Sequence, residues 1–197
     1  MRNTVFAIAL ATAGLAAAPA ISLAADANGP GGGFFVNGNI GDSNLSTGAY
    51  DDDDTGYAAN IGYRWALSPY VALGIEGGYT DLGKFGTKSS FNGLGLGQAS
   101  VKGWTAGVNG HFNLTPQWYL SGRAGFFGAD IKGGYLDASA NPVYVDDSSS
   151  KYYAGAGVGY DFSNNFSIGV NYDYYKADTA GLKLDPSMFS VSAELRF

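Results

Sequence analysis

Residues 189–197 read Phe189-Ser190-Val191-Ser192-Ala193-Glu194-Leu195-Arg196-Phe197, and this stretch decides the fold. With a period of two, Phe189, Val191, Ala193, Leu195 and Phe197 share one face, and Ser190, Ser192, Glu194 and Arg196 share the other. That is a strand with a wholly apolar face and an ionic face. A terminal strand of a soluble β-protein fits the alternation, but such ends usually fray into water. A strand closing a lipid-embedded barrel also fits, and it explains why the chain finishes on an aromatic ring. There the apolar face meets lipid, the polar face meets the lumen, and the ring sits at the interface.

The opposite end carries Arg2, the apolar run from Val5 to Ala18, and small residues at Ser22-Leu23-Ala24-Ala25. This is the pattern of a secretory signal peptide cut after Ala24 or Ala25. Pro19 interrupts the run and no basic stop-transfer flank follows, which argues against an anchor helix. Residues 1–25 are therefore expected to be removed, leaving 26–197 as one domain. Removal takes one of 11 basic residues and none of the 17 acidic ones, so the net charge is 10 minus 17, or −7. Such acidity argues against nucleic acid as a partner. The chain has no cysteine, which excludes disulfides and lipid attachment through an N-terminal cysteine. It has 31 glycines and 29 aromatic residues, yet mean hydropathy is near zero. Hydropathy alone would call it soluble, but barrel strands escape that test because every second residue is polar.

Eight segments repeat the alternation, at about 33–42, 55–66, 70–81, 99–113, 117–131, 151–162, 166–177 and 189–197. The polar face of the third is expected to carry Tyr70, Gly74, Glu76 and Thr80. Short connections hold turn chemistry at Ser68-Pro69, Thr115-Pro116 and Ser163-Asn164-Asn165. Long polar connections, at about 43–54, 82–98, 132–150 and 178–186, alternate with them. Short turns on one side and long loops on the other describe an up-and-down meander in an outer membrane, with both termini on the periplasmic side.

Aromatic residues recur eight apart on the apolar face: Tyr57/Trp65, Trp104/Phe112, Trp118/Phe126, Tyr152/Tyr160, Phe166/Tyr174 and Phe189/Phe197. Eight steps at ~3.3 Å span roughly 26 Å along a strand. A tilt of ~40° turns this into about 20 Å of height, near the ~25 Å apolar band of a transmembrane barrel. Each pair then supplies one ring to each of two interfacial girdles. A β-propeller is the main rival, because Pro69, Pro116 and Asn164 lie 47 and 48 residues apart. It leaves the girdles unexplained. A lipocalin-like barrel needs the reverse polarity, apolar inside and polar outside.

The second half also carries motifs. Thr115-Pro116-Gln117-Trp118-Tyr119-Leu120-Ser121-Gly122-Arg123-Ala124-Gly125, Tyr153-Ala154-Gly155-Ala156-Gly157-Val158-Gly159-Tyr160, Asn165-Phe166-Ser167-Ile168-Gly169-Val170-Asn171-Tyr172 and the closing Leu195-Arg196-Phe197 follow in that order. Together they resemble the small eight-stranded OmpA/OmpX-type outer-membrane barrels of Gram-negative bacteria. The resemblance implies an all-β, eight-stranded antiparallel up-and-down transmembrane β-barrel in the bacterial outer membrane. It says little about function, since such barrels serve as adhesins, structural anchors, narrow pores or enzymes. No peptidoglycan-binding segment accompanies the barrel pattern, so no tether to the cell wall is implied.

An eight-stranded barrel is filled by its own side chains. Arg64, Glu76, Arg123, Asp173, Glu194 and Arg196 point inward by parity, with Asp161 near the periplasmic end. Pairing is expected there, with Arg64 or Arg123 against Glu76 or Glu194, because an unpaired charge in a low-dielectric lumen is costly. Paired, these groups form an ionic plug. The competing reading is a narrow gated pore for small solutes or ions, favoured by inward Gly62, Gly74, Gly107, Gly125, Gly155, Gly157 and Gly159. Asp51-Asp52-Asp53-Asp54 is expected at the tip of the first long loop. Cation loops alternate their acids around a glycine bend, so a solvated acidic tip is the simpler reading of both this run and Asp146-Asp147.

Lys84, Lys88, Lys102, Lys151 and Lys176 fall near the outer rim, where lipopolysaccharide phosphates could meet them. Some eight-stranded barrels modify lipid A with a His and a Ser near the outer leaflet. Here the single histidine, His111, points inward near the periplasmic turn and has no neighbouring serine. No Gly-x-Ser-x-Gly, metal cluster or phosphate loop is present. The sequence therefore predicts no catalytic residue, cofactor or metal. It predicts a structural or surface-interaction protein acting through four extracellular loops. Its expected partners are the bilayer, lipopolysaccharide, an unnamed extracellular ligand and, through its C-terminal strand, the barrel-assembly machinery.

Overall fold

A computed structural model describes residues 32–47, 50–86, 98–136, 142–179 and 182–197. The expected signal segment and Lys88 lie outside the described residues. Ten strands follow in chain order: β1 Gly33–Thr47, β2 Tyr50–Ser68, β3 Val71–Phe85, β4 Ala99–Asn113, β5 Trp118–Leu136, β6 Pro142–Ser163, β7 Phe166–Tyr175, β8 Ala177–Thr179, β9 Leu182–Leu184 and β10 Ser187–Arg196. Eight of them close an antiparallel ring in the order β1-β10-β7-β6-β5-β4-β3-β2, and β8 and β9 pair as a small separate hairpin. The ring shuts along β1 and β10, from Phe35 opposite Arg196 to Asn44 opposite Ser187. Just beyond, the Phe197 N–H donates to the Phe34 carbonyl at 2.9 Å.

Alternation sorts the two faces. Trp104 and Phe126 are 68% and 73% exposed on the outside, while Asp173 and Ser167 are fully buried on the inside. All twelve aromatic residues spaced eight apart lie on the outer face. Several of their rings touch across strands, as in Trp118–Tyr160 at 5.3 Å and Tyr152–Tyr174 at 6.4 Å. Tyr79 joins the outer girdle against Trp104 at 4.9 Å. The short turns are tied by hydroxyls, as turn chemistry requires. The Tyr70, Trp118 and Phe166 amides donate to Ser68 Oγ, Thr115 Oγ1 and Ser163 Oγ at 3.2, 2.9 and 3.1 Å.

Three expectations differ from the structure. Tyr70 does not face the lumen; it sits in the β2–β3 turn, 65% exposed, and β3 begins at Val71. The pyrrolidine of Pro69 ends the ladder and leaves the next ring outside it. The supposed long loops at 43–54 and 132–150 are mostly strand, because β1 pairs with β2 as far as Thr47–Tyr50 and β5 with β6 as far as Leu136–Pro142. A ladder standing in water needs no lipid face, so its polar residues resemble loop residues in sequence. For the same reason Asp51–Asp54 belongs to strand β2 and is not a loop tip. Ten residues of β6 beyond Tyr152 correspond to ~33 Å of strand, so this hairpin stands far above the outer girdle.

At the periplasmic girdle, the Trp65 and Phe112 rings lean along their own strands. Phe112 is 38% exposed because its ring folds back along β4 and covers Gly110. A Cβ at Gly110 would lie 2.7 Å from that ring, with Leu73 of β3 closing the other side at 3.1 Å. The missing side chain leaves a groove, and filling it removes more apolar surface from contact with the interface than standing upright would. Trp65 makes its ring contact along its own strand, with Tyr63 at 5.1 Å. Tyr63 carries the contact across to β1, against Phe34 at 4.7 Å. Eight-residue spacing thus gives the height of a ring but not the direction in which it lies.

Inward glycines clear room for long neighbours. A Cβ at Gly155 would collide with the Asp173 carboxylate, whereas one at the outward Gly122 meets nothing within 4 Å. Gly155→Val is therefore expected to abolish the SDS-resistant, fast-migrating folded band on unheated gels, while Gly122→Val keeps it. Equal behaviour of the two variants would contradict the inward packing.

Candidate functional site

The lumen has two zones. The periplasmic half is ionic. Arg64, from β2, reaches past β1 to β10 and grips Glu194 with both guanidinium ends, Nη1–Oε1 at 2.6 Å and Nη2–Oε2 at 2.9 Å. Its Nε donates to Asn109 Oδ1 on β4 at 2.5 Å, and its head stacks 4.0 Å over the Phe35 ring. Arg123, from β5, donates through Nε to Asp173 Oδ1 on β7 at 2.6 Å and through Nη2 to Oδ2 of the same carboxylate. Arg196 donates through Nη2 to Asp161 Oδ1 and Ser167 Oγ, both at 2.7 Å. Its Nη1 lies 3.6 Å from Glu194, which links this cluster to the first. Two-pronged guanidinium–carboxylate bonds are the strong form of the ion pair.

Glu76 stands apart. It is only 8% exposed, and among the described residues its hydrogen bond comes from the Tyr153 hydroxyl, which donates to Oε1 at 2.8 Å. Of the six inward charges named from sequence, five are drawn into guanidinium–carboxylate contacts. The pairs are Arg64–Glu194 and Arg123–Asp173, with Arg196 on Asp161 and near Glu194. Glu76 is left to a phenol. A cavity of about 40 Å³ is lined by Arg64, Glu76, Asn109, Arg123, Asn171 and Glu194, among others. At ~10–15 Å³ each, that is room for about three waters.

His111 is 1% exposed, and its Nε2 lies 3.0 Å from Asn113 Oδ1 and 3.2 Å from Asp161 Oδ2. Both are acceptors, because Asn113 Nδ2 donates to the Pro69 carbonyl at 3.4 Å, so Nε2 carries the hydrogen. Tyr119 stacks on the ring at 4.1 Å. Among the described residues no group of three or more His, Asp or Glu is placed to hold a metal.

The extracellular half is apolar. Leu45, Leu82, Phe85, Val101, Phe127, Ile131, Tyr175 and Met188 are buried together beneath Ala177 and Leu184 of the β8–β9 hairpin. Phe127 meets Tyr175 edge-on at 5.0 Å, and Tyr175 lies parallel to Tyr153 at 6.0 Å. Lys176 ties the base of that hairpin, 3.1 Å from both Asp185 oxygens and 3.2 Å from Asp178 Oδ2. Those hydrogen bonds, to Asp185 first and Asp178 second, raise the Lys176 ammonium above the ordinary lysine value. Ser149 Oγ donates to the Asp178 carbonyl at 2.5 Å, fixing the hairpin to β6. Parity in the sequence puts Phe127, Tyr153 and Tyr175 inside and misses the rest of the cluster. The signal was present: Phe127, Ala129 and Ile131 continue the parity of Arg123.

At the rim, the carboxylates of Asp52, Asp53 and Asp54 do structural work. The Gly86 amide donates to Asp52 Oδ2 at 2.9 Å and the Lys84 amide to Asp54 Oδ2 at 2.7 Å. Their carboxylates replace ladder bonds where β3 slips register between Asp81 and Lys84, around Gly83 at φ 84°. Asp53 accepts from Asn44 Nδ2. On the outer face, Lys102 stands in register between Asp81 and Asp130, and Lys132 bonds Asp146 at 3.0 Å.

A closed eight-stranded ring with an apolar belt, two aromatic girdles and a paired ionic lumen defines an integral outer-membrane β-barrel. Residues 12–197 match the model of the outer membrane protein beta-barrel domain, and the chain belongs to that family. No curated protein matches the chain. Among solved structures it is similar to Ail, the attachment invasion locus protein of Yersinia pestis, at 18% identity and a TM-score of 0.57, covering 84% of this chain and 99% of that one. Ail has also been solved with the heparin analogue sucrose octasulfate. Neisserial surface protein A matches at 14% identity and a TM-score of 0.53, covering 83% and 97% of the two chains. AlkL in lipid bilayers matches at 16% identity and 0.51, covering 88% and 94%. At these identities the likeness establishes the fold alone.

Arg64→Ala leaves Glu194 buried without its partner and is expected to cost about 3–5 kcal/mol of stability. The exposed Lys132→Ala is expected to leave the urea midpoint of the micelle-embedded barrel unchanged. Equal midpoints for both variants would contradict the ionic plug.

Proposed function

We propose that this protein works at the cell surface, binding an extracellular partner through the hairpins that stand above the membrane, around a lumen closed to solutes. The observation that carries this reading is the buried apolar cluster from Leu45 to Met188, capped by β8–β9 at the extracellular mouth. An ion crossing it would have to shed its water against Phe127, Ile131 and Met188, with a few buried hydroxyls such as Ser43, Thr80 and Ser190 in place of it. That supports the surface role over the narrow pore, for which the small cavity below Tyr153 is the feature in favour. The projecting β1–β2 and β5–β6 hairpins are paired ladders, which give a rigid platform for recognition.

The chemistry of the platform narrows the partner. Asp42 and Asp51–Asp54 are exposed on β1–β2, and Asp130, Asp146 and Asp147 on β5–β6. A polyanion such as the sulfated sugar bound by Ail would meet like charge here. The partner is a neutral or basic surface. Lipopolysaccharide is met by the aromatic girdles and by the exposed Lys84, Lys102 and Lys151. The assembly machinery takes hold of β10 and its terminal Phe197. Residues 1–25 direct export and are cut away.

An enzymatic role is not part of this reading. His111 is committed to Asn113 and Asp161 deep in the lumen, where no lipid ester reaches it.

Two experiments test the proposal. Folded protein in planar bilayers is expected to be electrically silent; repeated discrete opening steps would overturn the closed lumen. Replacing residues 134–144 by a two-residue turn shortens β5–β6 above the rim. Bacteria displaying the shortened barrel are expected to lose adhesion to epithelial cells while keeping the folded band. The full chain is expected not to be retained on heparin. Undiminished adhesion, or retention on heparin, would contradict the proposal.

A further inference from the structure

The connection between β7 and β10 departs from the pattern of the rim. β1 and β2 run on as a paired ladder to Thr47–Tyr50, and β5 and β6 to Leu136–Pro142. The ladder of β7 with β10 stops at Tyr174–Ser187. Beyond it the chain folds back as β8 and β9, which pair with each other and not with the ring. Lys176 on one side and Asp185-Pro186 on the other lie outside any strand and join this hairpin to the barrel. Two short legs of irregular backbone can absorb the torsion changes of a hinge.

Little holds the hairpin down. Ala177 and Leu184 are fully buried against the apolar cluster. Among the described residues, one side-chain hydrogen bond ties it to the wall, from Ser149 Oγ to the Asp178 carbonyl. The charged ties are internal: Lys176 bridges Asp178 and Asp185, which couples the two legs. One group is worse off with the hairpin down. Asp178 Oδ1 is buried and has no hydrogen-bond partner within the protein. An acceptor buried in that way costs free energy that water returns once the group is exposed. Elements with few buried apolar contacts are the ones that open locally while the rest of a fold stays intact. The residues beneath are on ring strands: Val101 on β4, Phe127 and Ile131 on β5, Met188 on β10.

We infer that β8–β9 is a hinged lid. It swings as a unit about Lys176 and Asp185-Pro186, lifts Leu184 from its seat and uncovers the apolar cluster to the cell exterior. Closed is the major state, because opening exposes Ala177 and Leu184 along with the surface beneath them. The lid controls access to the cluster and opens no passage, since the ring strands keep their side chains across the mouth. It acts whatever partner the β1–β2 and β5–β6 hairpins bind.

The chain has no cysteine, so a single introduced thiol reports opening without background. Val101→Cys places one beneath the lid, where the native side chain is fully buried. The refolded full chain in nonionic micelles is treated with a charged methanethiosulfonate, and labelling is followed in the SDS-resistant folded band. The thiol is expected to react more slowly than one at the exposed Ser148→Cys, yet to completion while the band stays folded. Adding Ser149→Ala is expected to speed the reaction about three- to tenfold, the factor for one neutral hydrogen bond. Adding Leu184→Ala is expected to speed it further, and adding Lys132→Ala on the outer surface to leave it unchanged. A folded Val101→Cys that reacts only as fast as the barrel unfolds, or a rate indifferent to Ser149→Ala and Leu184→Ala, would overturn the lid. A second measurement needs no variant. Amides of residues 176–185 in the wild type are expected to exchange with deuterium faster than those of β7 and β10 on either side. Equal protection across the three segments would also overturn it.

Discussion

Backbone hydrogen bonding in a medium without water is the constraint on which the structure depends. Lipid offers no partner to an unpaired N–H or C=O, so the sheet must have no free edge at membrane depth. The seam between β1 and β10 meets that demand by pairing the first and last barrel strands from Phe35–Arg196 to Asn44–Ser187. Once the ring is shut, alternation leaves no choice about side chains: every second residue meets lipid and every other one meets its opposite wall. Arg64, Arg123 and Arg196 are thus forced into a narrow interior, and the carboxylates of Glu194, Asp173 and Asp161 are forced in with them. The ion pairs are a consequence of closure. They also make closure specific, since Arg64 spans from β2 past β1 to β10 and adds a side-chain bond over the seam.

Magnitudes separate the two halves of the interior. Replacing well-made buried ion pairs by apolar residues is often neutral in stability, so the periplasmic half is not where most net stabilisation lies. The extracellular half buries Phe85, Phe127, Ile131, Leu45 and Met188, each worth ~1.5–3 kcal/mol on removal from water. It behaves as the hydrophobic core of a soluble domain seated on top of a membrane barrel. The strands continue beyond the outer girdle because this second core gives them something to pack around. Rigid hairpins and an apolar filling at the mouth then follow from one feature.

Most of the barrel was legible in the sequence because period two and the eight-residue aromatic spacing are both set by strand geometry and bilayer thickness. The inward assignment of Arg64, Glu76, Arg123 and Glu194 needed parity alone. Which arginine meets which acid was not legible, because pairs that reach past an intervening strand depend on the stagger of three strands at once. Arg64 and Glu194 are 130 residues apart. The length of β1, β2, β5 and β6 was also hidden, since Asp51–Asp54 and Ser148–Ser150 have loop composition while standing in a water-exposed ladder. The β8–β9 cap left no clear pattern in strands of three residues. Tyr70 was misplaced because alternation was extended one residue into a turn. The lie of Phe112 over Gly110, and of Trp65 against Tyr63, is a matter of side-chain torsion that spacing does not encode.

The interior divides into an ionic periplasmic zone with room for water and an apolar extracellular zone, and the closed lumen depends on that division. Water-edited solid-state NMR of the folded protein in lipid bilayers measures it directly, by following magnetisation from water into assigned side chains. Fast transfer to Asn109 and Ser121, with slow transfer to Val101, Phe127 and Ile131, is the predicted result. Equally fast transfer along the whole lumen would reveal a continuous water column, and the closed barrel would have to be abandoned.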